Sequence, residues 1–188
     1  KAGKEAGVKP ILGCELYVAP RTRFDKEPKI DTKPYHLTVL AETNEGYSNL
    51  LKLVTKAHLE GFYYKPRVDY GLLKAYGKGL IVLSGCLAGH LPRLILSENE
   101  EEIDNLIRQY IEIFGKENYF LEMQDNPLIE NQVIVNTRIK ELAKKYGLGL
   151  VLTYDSHYPR PEDSDVHDLL LCIQTGTSVN DENRMRYL

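Results

Sequence analysis

The chain has 188 residues, enough for one domain with a true hydrophobic core. Its 43% hydrophobic and 27% charged residues exclude a disordered polypeptide, and no apolar run approaches the ~18 residues of a membrane span. A net charge of −3, from 24 Lys and Arg against 27 Asp and Glu, excludes nucleic-acid binding by bulk charge alone, so any such contact must be local.

The opening KAGKEAG reads as the tail of a helix stopped by Gly7, with Pro10 beyond it, and a strand near residues 11–18 follows. A helix tail without its beginning, and a far end (TGTSVNDENRMRYL) without core pattern, predict a piece of a longer polypeptide. APRTRFDKEPKIDTKP is charged and broken by prolines, as a surface loop would be. HLTVLA, residues 36–41, is a short strand, and residues 46–60 form a helix. GLIVLSG, residues 79–85, is a continuous apolar run of the kind buried on both faces in parallel sheets. Ser97 and Glu100 have capping-box spacing, ahead of Ile103, Leu106, Ile107, Tyr110 and Phe114 at helical intervals, with Gly115 as the stop. NYFLEMQ is a strand. Asn126-Pro127 has the form of a helix start, with Val135, Ile139, Leu142 and Tyr146 on the inner face and Gly147 at the end. A buried strand at residues 149–153 and a helix in EDSDVHDLLLCIQTG complete the pattern. The alternation predicts an α/β fold with a mainly parallel sheet, either open and doubly wound or a barrel.

Cys14, Cys86 and Cys172 are far apart and form no CxxC pair, which argues for a reducing compartment and against a disulfide framework. In parallel α/β folds chemistry gathers where strands end. Asp155 and His157 follow the last strand directly, and in an extended chain their alternate spacing would point both to one side. Cys86 follows GLIVLSG. Glu15 lies in the apolar strand ILGCELYV, where a buried carboxylate costs several kcal/mol unless paired or bound to metal. His36 opens its strand, and simple strand polarity would put it at the opposite mouth. All five are metal-ligand types. Each also has a structural reading: Asp155 as a turn former, Cys86 as a small core residue, His36 as a satisfied core histidine. GFYYKPRVD interleaves Phe62, Tyr63 and Tyr64 with Lys65 and Arg67, as single-strand binders do. Aromatics packed on the scaffold with both bases in solvent are the plainer reading, although Arg67 or Lys65 near a metal could hold a phosphate. His58 and His167 on helices and His90 in a loop are read as structural. The acidic run from Glu98 to Asp104 complements a helix dipole.

ILGCELYVAP, YHLTVLA, GYSNLLKLVTKAHLEGFYYKPRVD, GLIVLSGCLAG and YGLGLVLTYDSHY with EDSDVHDLLLCIQTG together resemble, in order and over essentially the whole chain, the PHP (polymerase and histidinol phosphatase) domain of bacterial DNA polymerase III alpha subunits. The resemblance implies a distorted, TIM-like, seven-stranded β/α barrel holding up to three metal ions. It implies that Glu15, His36, Cys86, Asp155 and His157 are metal ligands, with Glu15, Asp155 and His157 serving catalysis, and it overrides the polarity argument against His36. The family's first strand carries an H-x-H pair, and an Asp-His follows in the next βα unit. By this likeness all four precede Lys1. Residues 1–188 are therefore expected to be a PHP domain lacking its first strand and part of the following helix, inactive alone, with 175–188 leading toward a polymerase region. The implied cofactors are zinc and/or manganese for the cluster and magnesium for the downstream polymerase site. The implied partners are DNA and other holoenzyme subunits, including a proofreading exonuclease, in the cytoplasm and away from membranes. The implied chemistry is metal-dependent 3′→5′ exonuclease or phosphoesterase hydrolysis within a DNA-directed DNA polymerase. The rivals are a non-catalytic domain docking a separate exonuclease and a stand-alone PHP phosphatase.

Overall fold

The structure, a computed structural model, describes residues 1–127 and 129–186. It contains two compact units, Lys1–Thr153 and Tyr154–Leu188. In the first, the elements run α1 (Ala2–Glu5), β1 (Gly13–Val18), β2 (Tyr35–Ala41), α2 (Asn44–Leu59), β3 (Arg67–Val68), α3 (Tyr70–Tyr76), β4 (Leu80–Leu83), α4 (His90–Leu96), α5 (Glu100–Phe114), β5 (Tyr119–Gln124), α6 (Glu130–Tyr146) and β6 (Gly149–Thr153). The fold is α/β, with one six-stranded sheet in the order β3-β1-β2-β4-β5-β6. The seven strands implied by the resemblance are not all among the described residues.

The sheet is mixed rather than simply parallel. β2 runs antiparallel to both β1 and β4, while β1–β3, β4–β5 and β5–β6 are parallel. The amino end of β2 therefore lies at the same edge as the carboxyl ends of its neighbours. This removes the polarity objection to His36. Side chains alternate across the sheet. Leu16, Val18, Leu37, Val39, Val82 and Leu121 face the helices and join the core built with Leu53, Ile107 and Ile139. Registers of Tyr17 with His36, Glu15 with Thr38, and Thr38 with Leu83 put Glu15, Tyr17, His36 and Thr38 together on the opposite face. Glu122 and Thr153 share that face through β5 and β6.

Several local expectations are corrected. Helix α5 is capped not by Ser97 but by Asn99, whose side chain accepts from the Glu102 amide. Ser97 ends α4 instead, its hydroxyl donating to the Leu94 carbonyl. His90 belongs to α4 and not to a loop. Helix α6 begins at Glu130 with no side-chain cap, so Asn126-Pro127 forms a turn ahead of it. Among the described residues strand β6 lies at the end of the sheet rather than buried within it, and Leu150 and Leu152 are 46% and 53% exposed.

The region between β1 and β2 is no free surface loop. Asp31, fully buried, accepts from Arg21 and from the Glu27 amide, and Asp69 accepts from the Arg23 guanidinium and backbone. Buried carboxylates persist where their lone pairs are met in this way.

In the second unit a 3-10 turn at Pro161–Asp163 leads into α7 (Ser164–Thr175), which ends at left-handed Gly176. Leu171 and Cys172 are buried, and Arg184 pairs with Asp168. Among the described residues no helix is long and apolar enough to cross a membrane.

Candidate metal centre

Three of the five expected ligands meet on the face of the sheet opposite the helices. Glu15, His36 and Cys86 each offer one ligand atom, and these atoms lie within 4.8 Å of one another. Two approaches converge on a single imidazole nitrogen. His36 Nδ1 is 3.0 Å from a Glu15 oxygen and 3.5 Å from Cys86 Sγ. The Cys86 thiol and the Glu15 carboxylate, both hydrogen-bonded to the ring, raise the His36 pKa to about 9 against the opposing effect of burial. The pocket thus holds a proton tightly where one is the only cation on offer. A divalent ion meeting the same three groups would displace that proton, so its binding is coupled to pH.

The donor set suits such an ion. Carboxylate oxygen, imidazole nitrogen and sulfur together fit zinc, and the carboxylate admits manganese as well. Glu15 departs from expectation in one respect. Its side chain is 41% exposed, on the sheet face opposite the core helices of the first unit, and so it does not bear the desolvation cost of a buried charge.

Local backbone chemistry sets Cys86 in place. Gly85 has φ +86, and a Cβ there would stand 2.5 Å from the His36 carbonyl oxygen. Only glycine permits this approach without strain. The turn closes with the Gly89 amide donating to Cys86 O, and the His36 amide donates to Ala88 O. The ring of Tyr17 stands edge-on to His36 at 5.1 Å, and Lys65 Nζ lies 5.6 Å over the Tyr17 ring. Lys65 is exposed, so its ammonium stands one aromatic ring away from the cluster.

Arg67 is placed otherwise than a phosphate contact requires. It is fully buried, and its guanidinium donates to the carbonyls of Gly61, Asp31, Arg23 and Asp25. Nor is it solvated, as the plainer reading had it. Phe62 and Tyr64 remain exposed, at 52% and 70%.

Asp155 and His157 are described with the second unit. Asp155 has φ +51, so the chain turns there and the alternate-residue argument for an extended segment does not apply. His157 Nδ1 lies 2.6 Å from the Asp155 carbonyl oxygen. Since that oxygen only accepts, Nδ1 is the donor in this contact. The His167 ring is 5.7 Å from that of His157, a proximity the sequence spacing did not reveal.

Glu122 was missed. It is 5% exposed and accepts from Thr38 Oγ1 (3.3 Å), the Gly85 amide (3.0 Å) and Thr153 Oγ1 (2.6 Å). A lone carboxylate in the apolar run YFLEMQ is the same signal that singled out Glu15.

A family profile described as "PHP domain" matches residues 1–126. The chain is also similar to proteins described as "DNA polymerase III subunit alpha". It is 49% identical to that of Treponema pallidum (strain Nichols) over 96% of this chain, and 44% identical to that of Thermus aquaticus over 100%. The relative from Aquifex aeolicus (strain VF5) is 41% identical over 96%. The chain spans only 16%, 15% and 16% of the lengths of these three relatives.

Proposed function

This chain belongs to the PHP domain family, and from that premise we propose that it is the metal-binding PHP domain of a DNA polymerase III alpha subunit, a part of a longer replicative polymerase. The convergence of Glu15, His36 and Cys86 carries the reading. Beside it stands the similarity to alpha subunits over nearly the whole chain.

In the complete protein Asp155 and His157 join these three as ligands of zinc or manganese, within a seven-stranded barrel to which β1–β6 contribute. Metal at such a site activates water and neutralises a phosphodiester oxygen, the chemistry of a 3′→5′ exonuclease. The chain's own residues do the rest. Glu15, His36 and Cys86 would hold the cation through a carboxylate oxygen, an imidazole nitrogen and sulfur. Lys65, exposed above Tyr17, offers an ammonium to the approaching phosphate, while exposed Phe62 and Tyr64 offer faces on which bases stack. Nucleotidyl transfer belongs to other parts of the polymerase, with its own magnesium. DNA and the remaining holoenzyme subunits, including a separate proofreading exonuclease, are the partners, in the cytoplasm.

The test is elemental analysis of the full-length protein, wild type against Cys86→Ser and Asp155→Asn, with a hydrolysis assay on single-stranded DNA with and without chelator. Each variant should hold less metal, and hydrolysis should be chelator-sensitive. Equal metal in all three proteins would end the metal reading. Metal binding without chelator-sensitive hydrolysis would leave a non-catalytic docking domain.

A further inference from the structure

Glu122 is tied to the backbone or side chains of the segments that carry His36 and Cys86. Its Oε2 accepts from the Gly85 amide, one residue before Cys86, and from Thr38 Oγ1, two residues after His36 on the same face of β2. Its Oε1 accepts from Thr153 Oγ1 at the end of β6. Its own amide donates to Ser84 Oγ, which fixes β5 against the end of β4. One buried carboxylate on β5 therefore joins β2, the turn that follows β4, and β6.

The Gly85 bond matters most. Left-handed Gly85 turns the chain out of β4, and this turn sets where Cys86 Sγ points. An amide at such a turn has no strand partner, so without the carboxylate it would be a buried donor seeking water, and the turn would have no reason to hold one geometry.

We infer that Glu122 is a positioning residue for the metal centre: by bonding the Gly85 amide and bracing Thr38 and Thr153, it holds Cys86 and His36 at the separation a cation needs. The inference rests on the metal-binding reading proposed above. It differs from a direct electrostatic role for the carboxylate, because what matters is reach rather than charge.

Two substitutions separate the two. Glu122→Gln keeps the reach and removes the charge: its amide oxygen accepts from Gly85 while its NH2 donates to the Thr153 hydroxyl, which can accept. Glu122→Asp keeps the charge but retracts it by one methylene from Gly85. The experiment is cobalt titration of the full-length protein, following the thiolate-to-cobalt charge-transfer band, with Gly85 amide exchange measured in the metal-free state. Glu122→Asp should speed Gly85 exchange, weaken cobalt binding by ~10- to 100-fold and diminish the band per bound cobalt, the range typical of lost supporting contacts. Glu122→Gln should stay near wild type in all three. Should Glu122→Asp fail to fold, Thr153→Val combined with Thr38→Val takes its place: it removes two of the carboxylate's braces but leaves the Gly85 bond. Gly85 exchange should then quicken and cobalt binding weaken in the same direction but by less, and a variant equal to wild type in both would overturn the bracing role.

If Glu122→Gln loses cobalt while Glu122→Asp keeps it, charge is the cause and the positioning role is wrong. Faster Gly85 exchange with an unchanged cobalt spectrum would make Glu122 a general structural residue, which also overturns the inference. Cys86→Ser is the control on the underlying reading. A band that survives in Cys86→Ser sinks the thiolate-ligand assignment itself, and Gly85 exchange still reports whether Glu122 holds the turn.

Discussion

Replacing Arg67 by methionine tests whether that guanidinium belongs to the scaffold or to a nucleic-acid contact. In the fold it is wholly buried, and its donors reach Gly61 O at 3.0 Å, Asp31 O at 3.1 Å, Arg23 O at 3.1 Å and Asp25 O at 2.8 Å. A hydrogen bond to a charged group is worth about 1.5–3 kcal/mol net, so four would add to roughly 6–12 kcal/mol if they were independent. They are not independent, since all share one side chain. Burial also penalises the guanidinium, lowering its pKa below the usual arginine value, and methionine is relieved of that cost. What Arg67→Met leaves behind is four carbonyls without that donor, each costing about 1–3 kcal/mol where it stays dry, and net of the relieved burial we expect a loss of roughly 3–5 kcal/mol. That is a large share of the roughly 5–15 kcal/mol that holds a domain together. Arg67→Lys should recover only part of the loss, because one ammonium cannot span four carbonyls set around a planar fork. Urea unfolding of the full-length protein, followed by a probe within this domain, gives the free energy. Limited proteolysis should show cleavage appearing first between residues 19 and 34, the segment that Arg67 secures. An Arg67→Met protein unfolding within about 1 kcal/mol of wild type would refute the reasoning. If it also lost affinity for single-stranded DNA, Arg67 would be restored as a phosphate contact.

Two further outcomes follow from local chemistry. His90 is stacked on Tyr35 at 3.9 Å and bonded through Nδ1 to the Tyr70 hydroxyl at 2.8 Å, and burial first, then Arg93, depress its pKa to about 4. The unfolded chain takes up a proton near pH 6.5 and the fold does not, so this contribution is intact above pH 6.5 and is lost as pH falls toward 4. The loss reaches at most about 3 kcal/mol, at 1.36 kcal/mol per unit. Urea midpoints measured across that window should fall less steeply in His90→Phe, and identical pH profiles would disprove it. At the start of α5, Asn99→Ala should cost about 1 kcal/mol and Ser97→Ala much less, because only Asn99 caps the helix amides. Thermal melts with the reverse order would return the cap to Ser97.

Much of the fold was legible from the chain because it is encoded locally. The period of Ile103, Leu106, Ile107, Tyr110 and Phe114 announces a helix with one buried face, and all five are buried. Glycines 115 and 147 stop their helices with positive φ, a property of the residue itself. The candidate ligands were legible too, since acids, imidazoles and thiols at strand ends are conspicuous in apolar surroundings, and the resemblance to a family ordered them. What the chain could not disclose was strand direction. Whether His36 meets Glu15 and Cys86 depends on β2 running antiparallel to β1 and β4, and nothing within YHLTVLA differs between a parallel and an antiparallel strand. Burial was equally out of reach. Glu15 and Glu122 are single carboxylates in apolar strands, yet one is exposed and the other is buried beneath three donors. Arg67 sits in a run that looks like a nucleic-acid loop, and Lys65, two residues away, is exposed while Arg67 is sealed inside. Residue type and spacing are properties of the local chain, which is why they could be read directly. Direction, exposure and partner are set by segments many residues distant, such as Gly85 reaching Glu122 and Asp25 reaching Arg67, and these exist only once the sheet has formed.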